Sequence, residues 1–104
     1  MTARVSLRSV AQNDLADIFD YTRQTWSEAQ AVTYLRLISD ALDRLATFPE
    51  MAAIRDFIDP PVRVQKSGQH LIVYVVKNDS VDVIRILHSR SNWAAVLTGS
   101  VWEG

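Results

Sequence analysis

A chain of 104 residues, 48% hydrophobic and 22% charged, has the profile of one folded domain and not of a disordered segment. With no cysteine, it excludes disulfides, thiolate zinc sites and cysteine nucleophiles, and its two histidines are few for a transition-metal centre, so neither metal nor cofactor is expected. The formal charge of −1 is the sum of an acidic part, residues 1–61 at −3 (nine acids, six bases), and a basic part, residues 62–104 at +2 (three acids, five bases), so the C-terminal part is the one suited to an anionic partner.

A pI near 6.0 speaks against broad nucleic-acid binding, so any contact with DNA is expected to be indirect. No run approaches the roughly 18 apolar residues of a membrane span. The opening Met1-Thr2-Ala3-Arg4-Val5-Ser6 lacks the apolar core of a signal peptide, and a cytoplasmic, membrane-free protein is the expectation.

In chain order, residues 4–8 alternate polar and apolar and predict a short half-buried strand. Ser9 and Gln12 form a capping-box pattern, followed by a helical stripe of Ala11, Leu15, Ile18, Phe19, Thr22 and Trp26. Ser27 and Gln30 repeat the box, and Trp26 is placed to anchor the joint against Ala31. A second stripe follows: Ala31, Leu35, Ile38, Leu42 and Leu45, widened by Tyr34 and Ala41. Phe48-Pro49 ends that helix, because the residue before proline is pushed out of the helical region. Two helices with so short a joint predict an antiparallel hairpin.

Residues 49–61 hold all three prolines and no clean period, which reads as a loop pinned by Met51, Ile54, Phe57 and Ile58. Strands are predicted at 62–66, 70–77 and 81–88, joined by Ser67-Gly68-Gln69 and Asn78-Asp79-Ser80. A helical turn over 93–97 and a loose tail at 99–104 complete a single domain over 1–98. The fold class is α+β, in the order β-α-α-β-β-β, with a helical hairpin on a mostly antiparallel sheet. Strands 70–77 and 81–88 are apolar on both faces. The face away from the hairpin therefore needs cover from the loop, the tail or a partner.

Turns centred on Gly68 and Asp79 would set Lys66 opposite His70, His70 opposite His88 and Arg85 opposite Val73, with Arg90 just beyond. Two imidazoles with flanking cations could cleave RNA, the histidines moving protons and the cations holding phosphate. Polar residues at strand ends are also what any sheet shows where it meets water. Asp14, Asp17 and Asp20 share one helix face and read as a solvated surface. Trp93 and Trp102 are either folded back as cover or offered to a partner.

The run Asp14-Leu15-Ala16-Asp17-Ile18-Phe19-Asp20-Tyr21-Thr22 with Trp26, then Leu42 to Pro49, resembles the helical hairpin of ParE toxins. Val62-Arg63, His70-Leu71-Ile72-Val73-Tyr74 and Val83-Ile84-Arg85-Ile86-Leu87-His88-Ser89-Arg90 are similar to that family's strand blocks, with Ser89 where Gly is frequent. The resemblance spans residues 4–97 in order. It implies the fold shared by RelE and ParE toxins, and a growth-inhibiting toxin that poisons DNA gyrase and is neutralised by a ParD-like antitoxin. Target or antitoxin binding would then fall to Arg63, Lys66, His70, Arg85, His88, Arg90 and Trp93. The alternative is a RelE-like, ribosome-dependent mRNA endoribonuclease using His70, His88 and Arg90. Such relatives use several basic residues and commonly a C-terminal tyrosine. Here the last tyrosine is Tyr74 and the only lysines are Lys66 and Lys77.

Overall fold

The computed structural model describes residues 3–98. Strand β1 (Arg4–Leu7) leads into helix α1 (Ser9–Thr25) and helix α2 (Glu28–Thr47). Then come β2 (Ile54–Arg55), β3 (Val62–Ser67), β4 (His70–Lys77), β5 (Ser80–His88) and a short α3 (Trp93–Thr98). The strands form one mixed sheet in the order β1-β5-β4-β3-β2, with β1 parallel to β5 and the other pairs antiparallel. The expected α+β hairpin-on-sheet architecture is present. Among the described residues, no helix is long and apolar enough to cross a membrane.

Local chemistry sets the boundaries. The joint between the helices is capped by Ser27, whose hydroxyl accepts the Gln30 N–H at 3.0 Å, as the second box predicts. The first box does not form. Arg8 stays extended with its N–H on the Val83 carbonyl, so α1 already includes Ser9, and the Gln12 side chain donates to the Leu7 carbonyl instead. Beyond Phe48 the segment read as loop contains β2, too short to leave a periodic signal, which pairs with β3 through Ile54 opposite Arg63. Ile58 and Ala52 are the residues that bury, whereas Met51, Ile54 and Phe57 remain exposed.

Both hairpin loops are one residue tighter than read. Ser67 pairs with His70 and Lys77 with Ser80, leaving the two-residue loops Gly68–Gln69 and Asn78–Asp79. Gly68 and Asn78 take the positive φ that such loops require at their first position.

Two cores lie on the two sheet faces. Against the hairpin, Ile38, Ala41 and Leu45 of α2 and Ala11 and Ile18 of α1 pack on Ile72, Tyr74, Val81, Val83 and Ile86. Full burial of an Ile or Leu contributes about 1.5–3 kcal/mol, so this face supplies much of the driving force. On the other face Val73, Val75, Ile84 and Leu87 are closed over by Ile58 from the loop and by Leu97 and Trp93 from α3. The second apolar face is thus covered from within the chain.

A register shift at Val73/Tyr74 on β4, opposite Ile84 of β5, marks a bulge. The Arg85 guanidinium clamps Asp14 of α1 through two hydrogen bonds of 2.9 and 3.1 Å, and Asp14 also accepts the Ile86 N–H at 2.9 Å. A bulge interrupts the ladder and re-aims a side chain, which accounts for an arginine and a backbone N–H turned to the helix. Asp14 is therefore a seam residue between helix and sheet, not the solvated one its spacing suggested.

Candidate functional site

The loop Gly68–Gln69 brings the β3–β4 turn against α2. A methyl group on Gly68 would stand 2.8 Å from Tyr34 Oη, so only glycine admits the phenol here. Tyr34 Oη accepts the Gln69 N–H at 2.9 Å and lies 2.6 Å from His70 Nδ1. Where the phenol proton goes to Nδ1, a neutral His70 carries its own proton on Nε2.

His88 stands opposite His70 in the register, as expected, and the two rings meet edge to face with centroids 5.2 Å apart. The Arg90 N–H donates to His88 Nδ1 at 3.0 Å, so a neutral His88 also carries its proton on Nε2. Burial holds the His70 imidazole below its ordinary value of 6.5, the adjacent His88 adds to the depression, and Asp14 opposes it.

These rings form the floor of a groove of ≈ 700 Å³ between the helical hairpin and the end of the sheet. Its α1 wall carries Asp17 and Tyr21, one turn apart on the same helix face, and ends at Trp26. Trp26 is 74% exposed and Tyr21 66%, so Trp26 is not the buried joint anchor its position suggested. The two-residue joint turns the chain before the ring reaches Ala31, and the indole lines the groove mouth instead.

The remaining predicted residues disperse. Lys66 pairs with Leu71, not His70, because the turn is one residue shorter. Strand alternation puts it on the face of Leu71, away from the imidazoles. Arg63 holds the loop after α2, donating to the Ala52 carbonyl at 2.6 Å and pairing with Glu50 at 3.3 Å. Arg85 is bound to Asp14, a hydrogen bond that raises its already high pKa. Trp93 packs beside Phe57 on the opposite sheet face, centroids 6.2 Å apart. Arg90 is exposed next to His88. Trp102 and the tail from 99 lie outside the described residues.

Tyr34, Asp17 and Tyr21 went unrecognised as groove residues. Tyr34 sits at the margin of the α2 stripe, where an aromatic with a polar tip tends to reach a partner across a packing boundary, and that was the available signal.

A helical hairpin laid on a five-stranded sheet, with an open, aromatic-walled groove at one end, defines a small α+β protein built to present a surface. Comparison with known proteins narrows that class. The family model for the ParE toxin of the type II toxin–antitoxin system, parDE, matches residues 5–93. Toxin ParE1 of Mycobacterium tuberculosis (strain ATCC 25618 / H37Rv) is 37% identical over 91 residues, 86% of this chain and 93% of that protein. Toxin ParE1 of Caulobacter vibrioides is 34% identical over 94 residues, covering 90% and 95% of the two chains. Among solved structures, a chain of the chromosomal ParDE TA system from P. aeruginosa superposes with a TM-score of 0.73 at 19% identity, over 84% of this chain and 96% of that one. The chain belongs to the ParE toxin family of type II toxin–antitoxin systems.

Proposed function

We propose that this ParE-family chain inhibits growth by binding DNA gyrase, and that a ParD-like antitoxin neutralises it by occupying the toxin's surface. The observation that carries this reading is the family match over residues 5–93. The fate of the cations supports it. A phosphodiester-cleaving site needs positive charge beside its proton donors. Here Arg85 is committed to Asp14, Arg63 to Glu50 and the loop carbonyls, and Lys66 to the other sheet face. Of the seven residues proposed for partner binding, His70, His88 and Arg90 form one contiguous edge beside the groove, whereas Arg85 ties its strand to α1 and Arg63 holds the loop after α2. Action through a protein surface inside the cell, with no membrane step, completes the reading.

The test is plasmid supercoiling by purified gyrase with and without the protein. Inhibition with accumulated cleaved DNA, reversed by the antitoxin, is the expected result. Unimpaired supercoiling at micromolar folded protein would refute it.

The edge-to-face His70–His88 pair favours one second reading, RNA cleavage with Arg90 at the phosphate. That reading requires cut transcripts in a translating extract, lost in His88→Ala.

A further inference from the structure

The three carboxylates of α1, Asp14, Asp17 and Asp20, meet different fates. Asp14 is held by Arg85, and Asp20 faces Arg23 at 3.8 Å. Asp17 lines the groove and has no hydrogen bond or ion pair among the described residues. None of the groove's lining residues is a lysine or an arginine. Two large aromatic rings, Tyr21 and Trp26, are more than half exposed at the same wall, and Gln30 and Gln69 also line the groove. The groove therefore combines an uncompensated negative charge, open π-faces and neutral acceptors.

We propose that this groove receives the guanidinium of an arginine presented by a partner protein, flat against Trp26 or Tyr21 with Asp17 as its counter-ion. Arginine fits better than lysine. Its planar, weakly hydrated cation stacks on an aromatic face and still offers in-plane N–H groups to a carboxylate and to amide oxygens. A nucleic acid would bring bases that stack equally well, but its phosphates would face Asp17 in a groove lined by no cation. The inference rests on the protein-binding reading above only for the source of the arginine. It adds that the recognition surface is bipolar, with Arg90 at the sheet rim suited to acidic groups and the groove suited to a basic one.

The floor makes the site responsive to pH. The groups around His70 are Asp14 and Asp17 on α1, Tyr34 on α2, and Arg85, His88 and Arg90 on β5 and the turn after it. While His70 is neutral, the groove keeps its negative balance. Protonation of His70 places a cation on the floor and opposes an arginine.

The probe is the blocked tripeptide Gly-Arg-Gly, with Gly-Lys-Gly, Gly-citrulline-Gly and adenosine monophosphate as comparators, followed by NMR at the Trp26 indole N–H. The arginine peptide is expected to shift this signal saturably and to bind about fivefold or more tighter than the lysine peptide, with no saturable shift from neutral citrulline. Asp17→Asn, at an exposed position where folding is not at stake, should remove the shift while leaving the Trp26 signal itself in place. Binding should weaken as pH falls below about 6.5, through the lowered value of His70. Equal shifts from arginine and citrulline, a response to the nucleotide alone, or no saturable response to the arginine peptide would each overturn the proposal. Gyrase inhibition by a protein that ignores the arginine peptide would remove this inference and leave the proposed function standing. Arginine binding without gyrase inhibition would do the reverse.

Discussion

Strand β4 is tied to the rest of the chain by two aromatic hydrogen bonds that differ in almost every other respect. In one, the Tyr74 phenol donates to the Pro49 carbonyl at 2.8 Å from a fully buried side chain, and burial pushes its pKa up. In the other, Tyr34 reaches His70 at the floor of an open groove, beside exposed Tyr21 and Trp26 and an Asp17 carboxylate without a partner among the described residues. The first contact holds the loop after α2 onto the core and exposes nothing. The second orders two imidazoles and leaves their surroundings accessible. Satisfied polar groups sealed from water are structure. Satisfied polar groups at the floor of an open cleft, next to groups that lack partners, are a place for something to bind.

Breaking the sealed contact should have the largest effect. Tyr74→Ala empties a fully buried aromatic position and is expected to destabilise by about 3–5 kcal/mol in urea unfolding. Tyr74→Phe removes only the hydroxyl, which leaves the Pro49 carbonyl without this donor, and should cost about 1–2 kcal/mol. Neither change should move the Trp26 response to the arginine peptide while the protein is folded. A Phe variant that lost the groove response would show that the two regions are one cooperative unit.

The open end is attacked through its turn. Gly68→Ala forces a Cβ to 2.8 Å from Tyr34 Oη and 3.1 Å from Leu37, at a φ of +58° that alanine resists. A loss of about 1–3 kcal/mol is expected from overpacking and backbone strain together. Unlike the Tyr74 variants, this one should also displace the phenol from His70, read as a shift of the His70 ring protons. An intact ring environment with lowered stability would mean that the turn, and not the phenol, absorbs the strain.

Acid separates the regions without mutation. His70 titrates lower in the fold than in the unfolded chain, so the unfolded state takes up the proton first. Its contribution is fully present above the unfolded value of about 6.5 and is lost as pH falls through the lower folded value. Thermal unfolding of the native chain should therefore fall more steeply than that of His70→Gln as pH drops from 6.5. Parallel curves would exclude His70 as the source. The Tyr74 contact should contribute nothing to this window, because its phenol stays protonated throughout.

Much of this contrast was legible in the sequence, and the reasons for the rest are physical. The helical stripes and the Ser27 cap follow from periodicity and turn chemistry, which are local, whereas His70 meets His88 because the bulge at Ile84 offsets the tighter loop between β4 and β5. Lys66 was misplaced because a loop shorter by one residue reverses the face of every side chain before it. Strand β2 has two residues, less than one full alternation, and so no period to detect. Asp14 looked like its neighbours Asp17 and Asp20, and only the bulge of β5, 71 residues away, distinguishes it. The groove shares that difficulty, since it joins α1, α2, β4 and β5 and no single segment announces it.

The smallest expected effect is at Ser67, next to the glycine turn. Its hydroxyl is buried and has no hydrogen-bond partner among the described residues, although it pairs in the register with His70. Removing a donor that serves no acceptor loses no protein hydrogen bond and relieves a desolvated polar group. Ser67→Ala should therefore change stability by less than about 0.5 kcal/mol, or raise it slightly, with His70 titration unmoved. Tyr74→Phe also deletes one hydroxyl, but one that is bonded. If Ser67→Ala cost as much as Tyr74→Phe, the hydroxyl would be a working part of the His70 seam, and the open end would be held together more like the sealed one than their geometries indicate.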